Sequence, residues 1–322
     1  MDYILEQHNL ATVQFLVLLA IHGQQSPYGS GSWAQIRYAL TTCVELGLHR
    51  FRTTKSTPAQ SDRETEIRRR VFWACYCLDR TTSLLLGRTF GISDRDINVE
   101  LPSSSAEFWD LAAAGEPPAG EAWSNILSFI HIINLRRLQS KIHRTVFRVD
   151  KDVLTPEPLE QAKLDKKIAG ITQALDDWVA QIPTPPRDAK CITWVYDKEN
   201  TYHHESRDFF TLQYHKTTLL LFTGLLPTLS TSDPRFISGA KSAARVCTAY
   251  KRLHQQKTLT YTIAALHSCF VAGLTLVYCL WRDAGLFSYQ SLEAVRACSL
   301  CLAIFGETVS YTHLTLPTIL RV

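Results

Sequence analysis

Two cysteine pairs are the first residues whose spacing could do chemistry. Cys298 and Cys301 stand at the spacing of a redox dithiol or of half a zinc site, and Cys75 and Cys77 form a second close pair. A zinc ribbon needs another such pair and turns around its ligands. Both pairs fall instead inside apolar stretches with helical spacing, which makes them core thiols. His203, His204, Glu205 and Asp208 are metal-ligand types, and a helix would set His204 and Asp208 on one face. No third ligand is specified, and a helix N-terminus has the same composition. Asp94 and Asp96 are neighbouring carboxylates without a partner suited to acid–base work. Gly29-Ser30-Gly31 lacks the lysine or further glycine of a phosphate cradle, and neither a serine-hydrolase elbow nor a dinucleotide fingerprint occurs. These residues do not assemble into an active site.

The element that must position the remaining charges is Glu64–Pro102, which begins acidic, meets three arginines and runs apolar to a glycine. On a 3.6-residue period Ile67, Val71, Ala74, Leu78, Thr82 and Leu85 share one face, which predicts an amphipathic helix buried on that side. Asp79 falls on the flank of this face, near the column of Arg68, Phe72 and Cys75. A carboxylate buried alone there would cost several kcal/mol, so it is expected to be paired. Gly87 stands where a helix C-cap belongs, and 93–102 reads as a polar loop with an extended end. The stretch is predicted to be a long helix locked to a carboxylate-bearing loop.

The whole chain has 322 residues, 46% apolar and 20% charged, enough for a large core. A net charge of +4 is too mild for nucleic-acid binding by the whole surface, and the basic run Arg136–Arg148 reads as a solvated helix flank. Nine cysteines, an odd number placed in apolar stretches, fit reduced thiols inside the cell, and no signal-peptide pattern follows Met1. Ile263–Trp281 carries no formal charge and approaches the length of a membrane span. His267, Ser268, Thr275 and the lack of basic flanks make it a core helix, with no membrane association expected.

Helices are predicted over 2–23, 33–48, 64–86, 107–114, 121–149, 156–182, 204–226, 233–255, 260–283 and 288–306. On the second of these, Ile36, Leu40, Cys43, Val44 and Leu48 form the apolar set. The irregular connector near 183–203 is expected to pack Trp194, Val195 and Tyr196 down. Strand signals are nearly absent, so the fold class is all-α, a large multi-helix array. Val309–Thr318 breaks the helical pattern with β-branched residues and a proline. Residues 309–322 look like a translated sequencing-adaptor end, which would place the natural C-terminus beyond them.

With those residues read, ETEIRRRVFWACYCLDRTTSLLLGRTFGISDRDINVELP (64–102) resembles the signature of the fungal-specific transcription factor domain. This is the middle homology region, or xylanolytic activator regulatory domain, of zinc-binuclear-cluster regulators. The resemblance is carried by Leu46-Gly-Leu-His-Arg50, Arg68–Arg70 with Val71-Phe72-Trp73, and Leu78-Asp79-Arg80. Leu86-Gly87-Arg88 and the Asp94-x-Asp96-Ile-x-Val-x-Leu-Pro102 ending complete it. It is strongest over 30–105, and 270–281 is similar to a late helix of the same domains, so 1–308 is expected to be one regulatory domain.

The resemblance implies a helical array that modulates RNA polymerase II transcription in the nucleus and is not an enzyme. Within the motif, Arg68, Arg69, Arg70, Asp79, Arg80, Arg88, Asp94 and Asp96 are expected to hold helix and loop together through ion pairs, with Trp73, Gly87 and Pro102 as its uncharged structural members. Partners implied are a small-molecule effector or coregulator, a second copy in a homodimer, and DNA. In the family, DNA is read by an N-terminal cluster of six cysteines on two zinc ions, whereas residues 1–60 contain only Cys43. Either the zinc ions and the DNA contact belong to a segment missing from this chain by truncation, the favoured expectation, or the protein is one of the minority of family members without a cluster. The alternative is a ligand-sensing or protein-interaction module that never touches DNA.

Overall fold

The computed structural model describes residues 7–25, 31–51, 58–105, 122–123, 126–147, 157–183, 190–191, 207–256, 262–286 and 288–314. Among them are nine α-helices: α1 (Leu10–Gln25), α2 (Ser32–Glu45), α3 (Pro58–Leu86), α4 (Ile126–Val146), α5 (Pro158–Ala180), α6 (Arg207–Phe222), α7 (Pro234–Gln255), α8 (Ile263–Arg282) and α9 (Tyr289–Leu314). Among the described residues the one pairing of extended chain is a two-residue parallel ladder of β1 (Ala122–Trp123) with β2 (Lys190–Cys191). The fold is all-α.

Local chemistry sets the helix ends. Asn9 Oδ1 accepts from Thr12 N at the start of α1, and Asp233 caps α7 ahead of Pro234, whose missing N–H costs nothing there. Thr262 caps α8 through the Ala265 amide. Two helices stop in the same way, on a glycine with positive φ. After α2, Gly47 (φ 66°) lets Leu48 N reach Cys43 O at 2.8 Å; after α3, Gly87 (φ 62°) lets Arg88 N reach Ser83 O at 2.8 Å.

The chain divides into two compact units. The first, 1–24 with 28–140 and 181–205, holds α1, α2, α3 and most of α4. Its core packs Val13 and Leu16 of α1, Ala39, Leu40 and Cys43 of α2, and Phe72, Trp73, Cys75 and Tyr76 of α3 with Ile92 and Ile133. The second unit, 25–27 with 141–180 and 206–322, holds the end of α4, α5 and α6 to α9. One of its cores joins α6, α7, α8 and α9 around Val246, Cys247, Cys269, Ala272, Leu276, Ala294, Cys298 and Cys301. Another joins Ile142, Ile168, Ile171, Phe222, Phe236 and Cys279.

Several expectations are corrected. The buried face of α3 is turned from the one predicted. Phe72, Trp73, Cys75, Tyr76, Asp79, Arg80, Thr82 and Ser83 are buried, while Ile67, Val71, Ala74, Leu78 and Leu85 are half-buried. The loop after the helix packs on the polar side, and an apolar period cannot register buried charges. Asp79 accordingly lies in the core, fully buried, not on a flank. Val44 is exposed on α2. α4 starts at Ile126 behind the short ladder, not at 121. α9 runs through Val309–Leu314, where a break was expected. The short helix at 107–114, Trp194–Tyr196, His203, His204, Glu205 and residues 315–322 lie outside the described residues, as does the side chain of Asp208.

Candidate functional site

The charges of 64–102 converge in the first unit on one guanidinium. Arg80 is fully buried. Its Nη1 donates to Asp79 Oδ2 at 2.6 Å, and its Nη2 donates to Ile92 O at 2.7 Å and to Asp94 Oδ1 at 3.0 Å. The plane lies over Tyr76 (4.1 Å to the ring centroid) and against Phe90 (4.3 Å). Asp79 accepts from Gly91 N at 3.1 Å, with Arg37 Nη1 of α2 at 3.5 Å. Asp94 also accepts from Tyr76 Oη at 2.8 Å and from Ser140 Oγ of α4 at 2.5 Å. Two carboxylates thus face two guanidiniums, and the cluster can be buried because its formal charges cancel.

Electrostatics follow from this packing. Burial alone would raise the Asp94 pKa, but the Ser140 and Tyr76 hydroxyls and the Arg80 charge outweigh it and hold the carboxyl below its ordinary value. Burial pushes the Tyr76 phenol up, with Arg80 opposing and Asp94 adding to the rise. Gly91 is a close approach: a Cβ there would stand 2.5 Å from Leu40 Cδ2 and 2.6 Å from Arg37 Nη1. Arg88, just past the helix stop, stacks on Trp33 at 4.4 Å.

A second set of bonds ties the other end of the loop to α3. Glu66 is buried and accepts from Arg70 Nε at 2.9 Å and Ser103 N at 3.0 Å, with Arg69 Nη1 at 3.8 Å. Arg69 also pairs with Glu100. Trp73 Nε1 donates to Glu100 O at 2.8 Å. Arg68 Nη2 donates to Leu46 O at 3.0 Å, holding the turn after α2, whose His49 carbonyl accepts from Asn98 N and Val99 N. Pro102 is buried at the end of this docked segment.

The sequence-predicted residues therefore take several places, with Arg68 at the turn after α2 and Pro102 at the end of the docked segment. Asp79, Arg80 and Asp94 meet directly, and Arg69, Arg70 and Trp73 meet at the Glu66–Glu100 end. Gly87 and Arg88 serve the helix stop. Asp96 is exposed and its carboxylate joins none of these bonds. Sequence reasoning missed Arg37, Glu66, Tyr76, Gly91, Glu100, Ser103 and Ser140. Tyr76 and Glu66 carried a signal, each lying one helical turn from an arginine it serves; the others come from outside α3.

Cys75, Cys298 and Cys301 lie in the cores, and half-buried Cys77 packs against one. Cys75 faces Cys43 at 3.7 Å between sulfurs, Cys298 faces Cys269 at 4.0 Å, and Cys301 is buried beside them. Burial raises the Cys77 pKa to about 12. Among the described residues no group of three or more His, Cys, Asp or Glu side chains could hold a metal ion.

Comparison with known proteins agrees with the motif. The family model described as "Fungal specific transcription factor domain" matches residues 1–180, which take in α1 to α5. The chain is 24% identical to the "Positive regulator of purine utilization" of Emericella nidulans, over 89% of the chain and 32% of that protein. It is 26% identical to "Protein STB5" of Saccharomyces cerevisiae, over 93% of the chain and 39% of that protein. It is 26% identical to "Pyrimidine pathway regulatory protein 1" of Saccharomyces cerevisiae, over 81% and 28%. The chain spans well under half the length of each of these relatives. No solved structure matches it. On the extent of the family match, the chain belongs to the fungal-specific transcription factor domain family.

Proposed function

We propose that this region regulates the output of a longer zinc-cluster transcription factor acting in the nucleus, and that it contributes no catalysis. DNA would be read, and two zinc ions bound, by an N-terminal segment outside this chain. The helix–loop lock around Arg80 would hold the region in the state that restrains or permits transcription. A small-molecule effector or coregulator, and a second copy of the chain, are the partners in this reading. The observation that carries it is the family match over 1–180, within which the whole lock lies. Relatives named as a positive regulator of purine utilization and a pyrimidine pathway regulatory protein support it.

A mobility-shift assay on the full natural gene product tests the DNA half of the reading. Sequence-selective binding that zinc chelation abolishes is the expected result. No selectivity for any sequence would favour a sensing or interaction module that never touches DNA.

A further inference from the structure

The second unit carries an apolar surface that the lock does not use. On α8, Phe270 (52% exposed), Leu274 (61%), Val277 (50%) and Trp281 (78%) stand at spacings of four, three and four. They fall in one narrow stripe along the helix, the spacing of a coiled-coil seam. The opposite face is fully committed: Cys269, Ala272, Leu276 and Leu280 pack into the core with α7 and α9, and Gly273 lies against Cys298. Between Ile263 and Trp281 the helix has no Asp, Glu, Lys or Arg; exposed His267, three residues before Phe270, is the one titratable side chain at the N-terminal end of the stripe.

We infer that this stripe is the contact surface for a second copy of the chain, with the two α8 helices antiparallel about a two-fold axis. The inference gives a location to the self-association in the proposed function and rests on it. An isologous contact needs a self-complementary face, and an uncharged stripe of unequal residues is one. In antiparallel register Phe270 lies opposite Trp281 of the second copy, and Leu274 opposite its Val277. The large ring at each end and the small Val277 near the middle then alternate. At roughly 100–200 Å² of exposed side chain per residue, with the aromatics highest, the stripe offers roughly 500 Å². Two copies would bury roughly 1,000 Å² before any rim, close to the lower edge of specific interfaces. The dimer should therefore be weak and concentration-dependent, dissociating on the order of micromolar.

Sedimentation velocity on the 322-residue chain tests this from roughly 1 to 100 µM, a range chosen to bracket that affinity. The weight-average mass should rise from one chain toward two. Leu274→Glu and Trp281→Glu should each hold the chain monomeric, with circular dichroism and melting temperature unchanged because both side chains lie outside the core. The pair Leu274→Cys with Val277→Cys should yield a disulfide-linked dimer under mild oxidation, and Leu274→Cys alone far less. A monomer at every concentration overturns both the stripe and the self-association. A dimer that both glutamate variants leave intact overturns the stripe alone. Co-sedimentation with phosphatidylcholine–phosphatidylserine vesicles without dimerisation assigns the face to a bilayer and also overturns the inference.

Discussion

Asp79 and Arg80 are consecutive in the chain, yet each is completed by groups from elsewhere: Arg37 and Gly91 for the carboxylate, Asp94 and the Ile92 carbonyl for the guanidinium. Removing one member of a fully buried pair strands the other charge, a loss of about 3–5 kcal/mol. Asp79→Ala should therefore lower the melting temperature of the chain sharply, read by circular dichroism or calorimetry. Asp79→Asn, which keeps one acceptor oxygen for Gly91 N, should fall in between. An unchanged melting temperature for Asp79→Ala would show the cluster to be dispensable. Gly91→Ala should cost about 1–3 kcal/mol, since its Cβ would press on Leu40 and Arg37. That Asp79 needs a partner was legible in the sequence, because an apolar helix cannot bury a bare carboxylate. The partners' identities were not, because Arg37, Gly91 and Ser140 approach only once three segments have packed.

At the scale of elements, α3 and the segment 91–103 form one docked piece, pinned at the Arg80 end and again through Glu66 and Trp73. Trp73→Phe keeps the ring in the core and deletes one hydrogen bond, an expected cost of about 1 kcal/mol. Hydrogen exchange should then quicken at the Asn98, Val99 and Ser103 amides while α7 and α9 keep their protection. Uniform quickening would mean that the loop does not open as a separate unit. The periodicity located most helices, yet it mis-set the face of α3. It weighs apolar residues, and this helix buries Glu66, Asp79, Arg80 and Ser83. The break expected near 309 rested on β-branched residues and on Pro317; propensity is a weak prior that context overrides, and Pro317 lies beyond the described end of α9.

At the scale of the whole chain, buried His131 and half-buried His215 make stability depend on pH. Burial lowers His131 of α4 to about 4, and burial with Arg245 nearby lowers His215 of α6 to about 4. Both stay neutral in the folded chain where their unfolded counterparts, titrating near 6.5, already take up protons. Stability should thus be full above about pH 6.5 and fall as the pH drops toward 4. Asp94, held below its ordinary value, adds a loss at the lower end, as pH falls through the carboxylate range. Melting temperature against pH should show this descent, and His215→Asn should flatten it between pH 6 and 4.5. A profile unchanged by that substitution would mean His215 titrates normally.

The central claim is that the region controls transcription through its helix–loop lock. Its most direct test is a reporter measurement on a fusion of residues 1–322 between a heterologous DNA-binding domain and an activation domain, beside the same fusion without the region. The region should change reporter output several-fold, and Asp79→Asn and Gly91→Ala should shift it back toward the region-free level at equal protein abundance. Equal output with and without the region, or an effect that neither substitution moves, would contradict it.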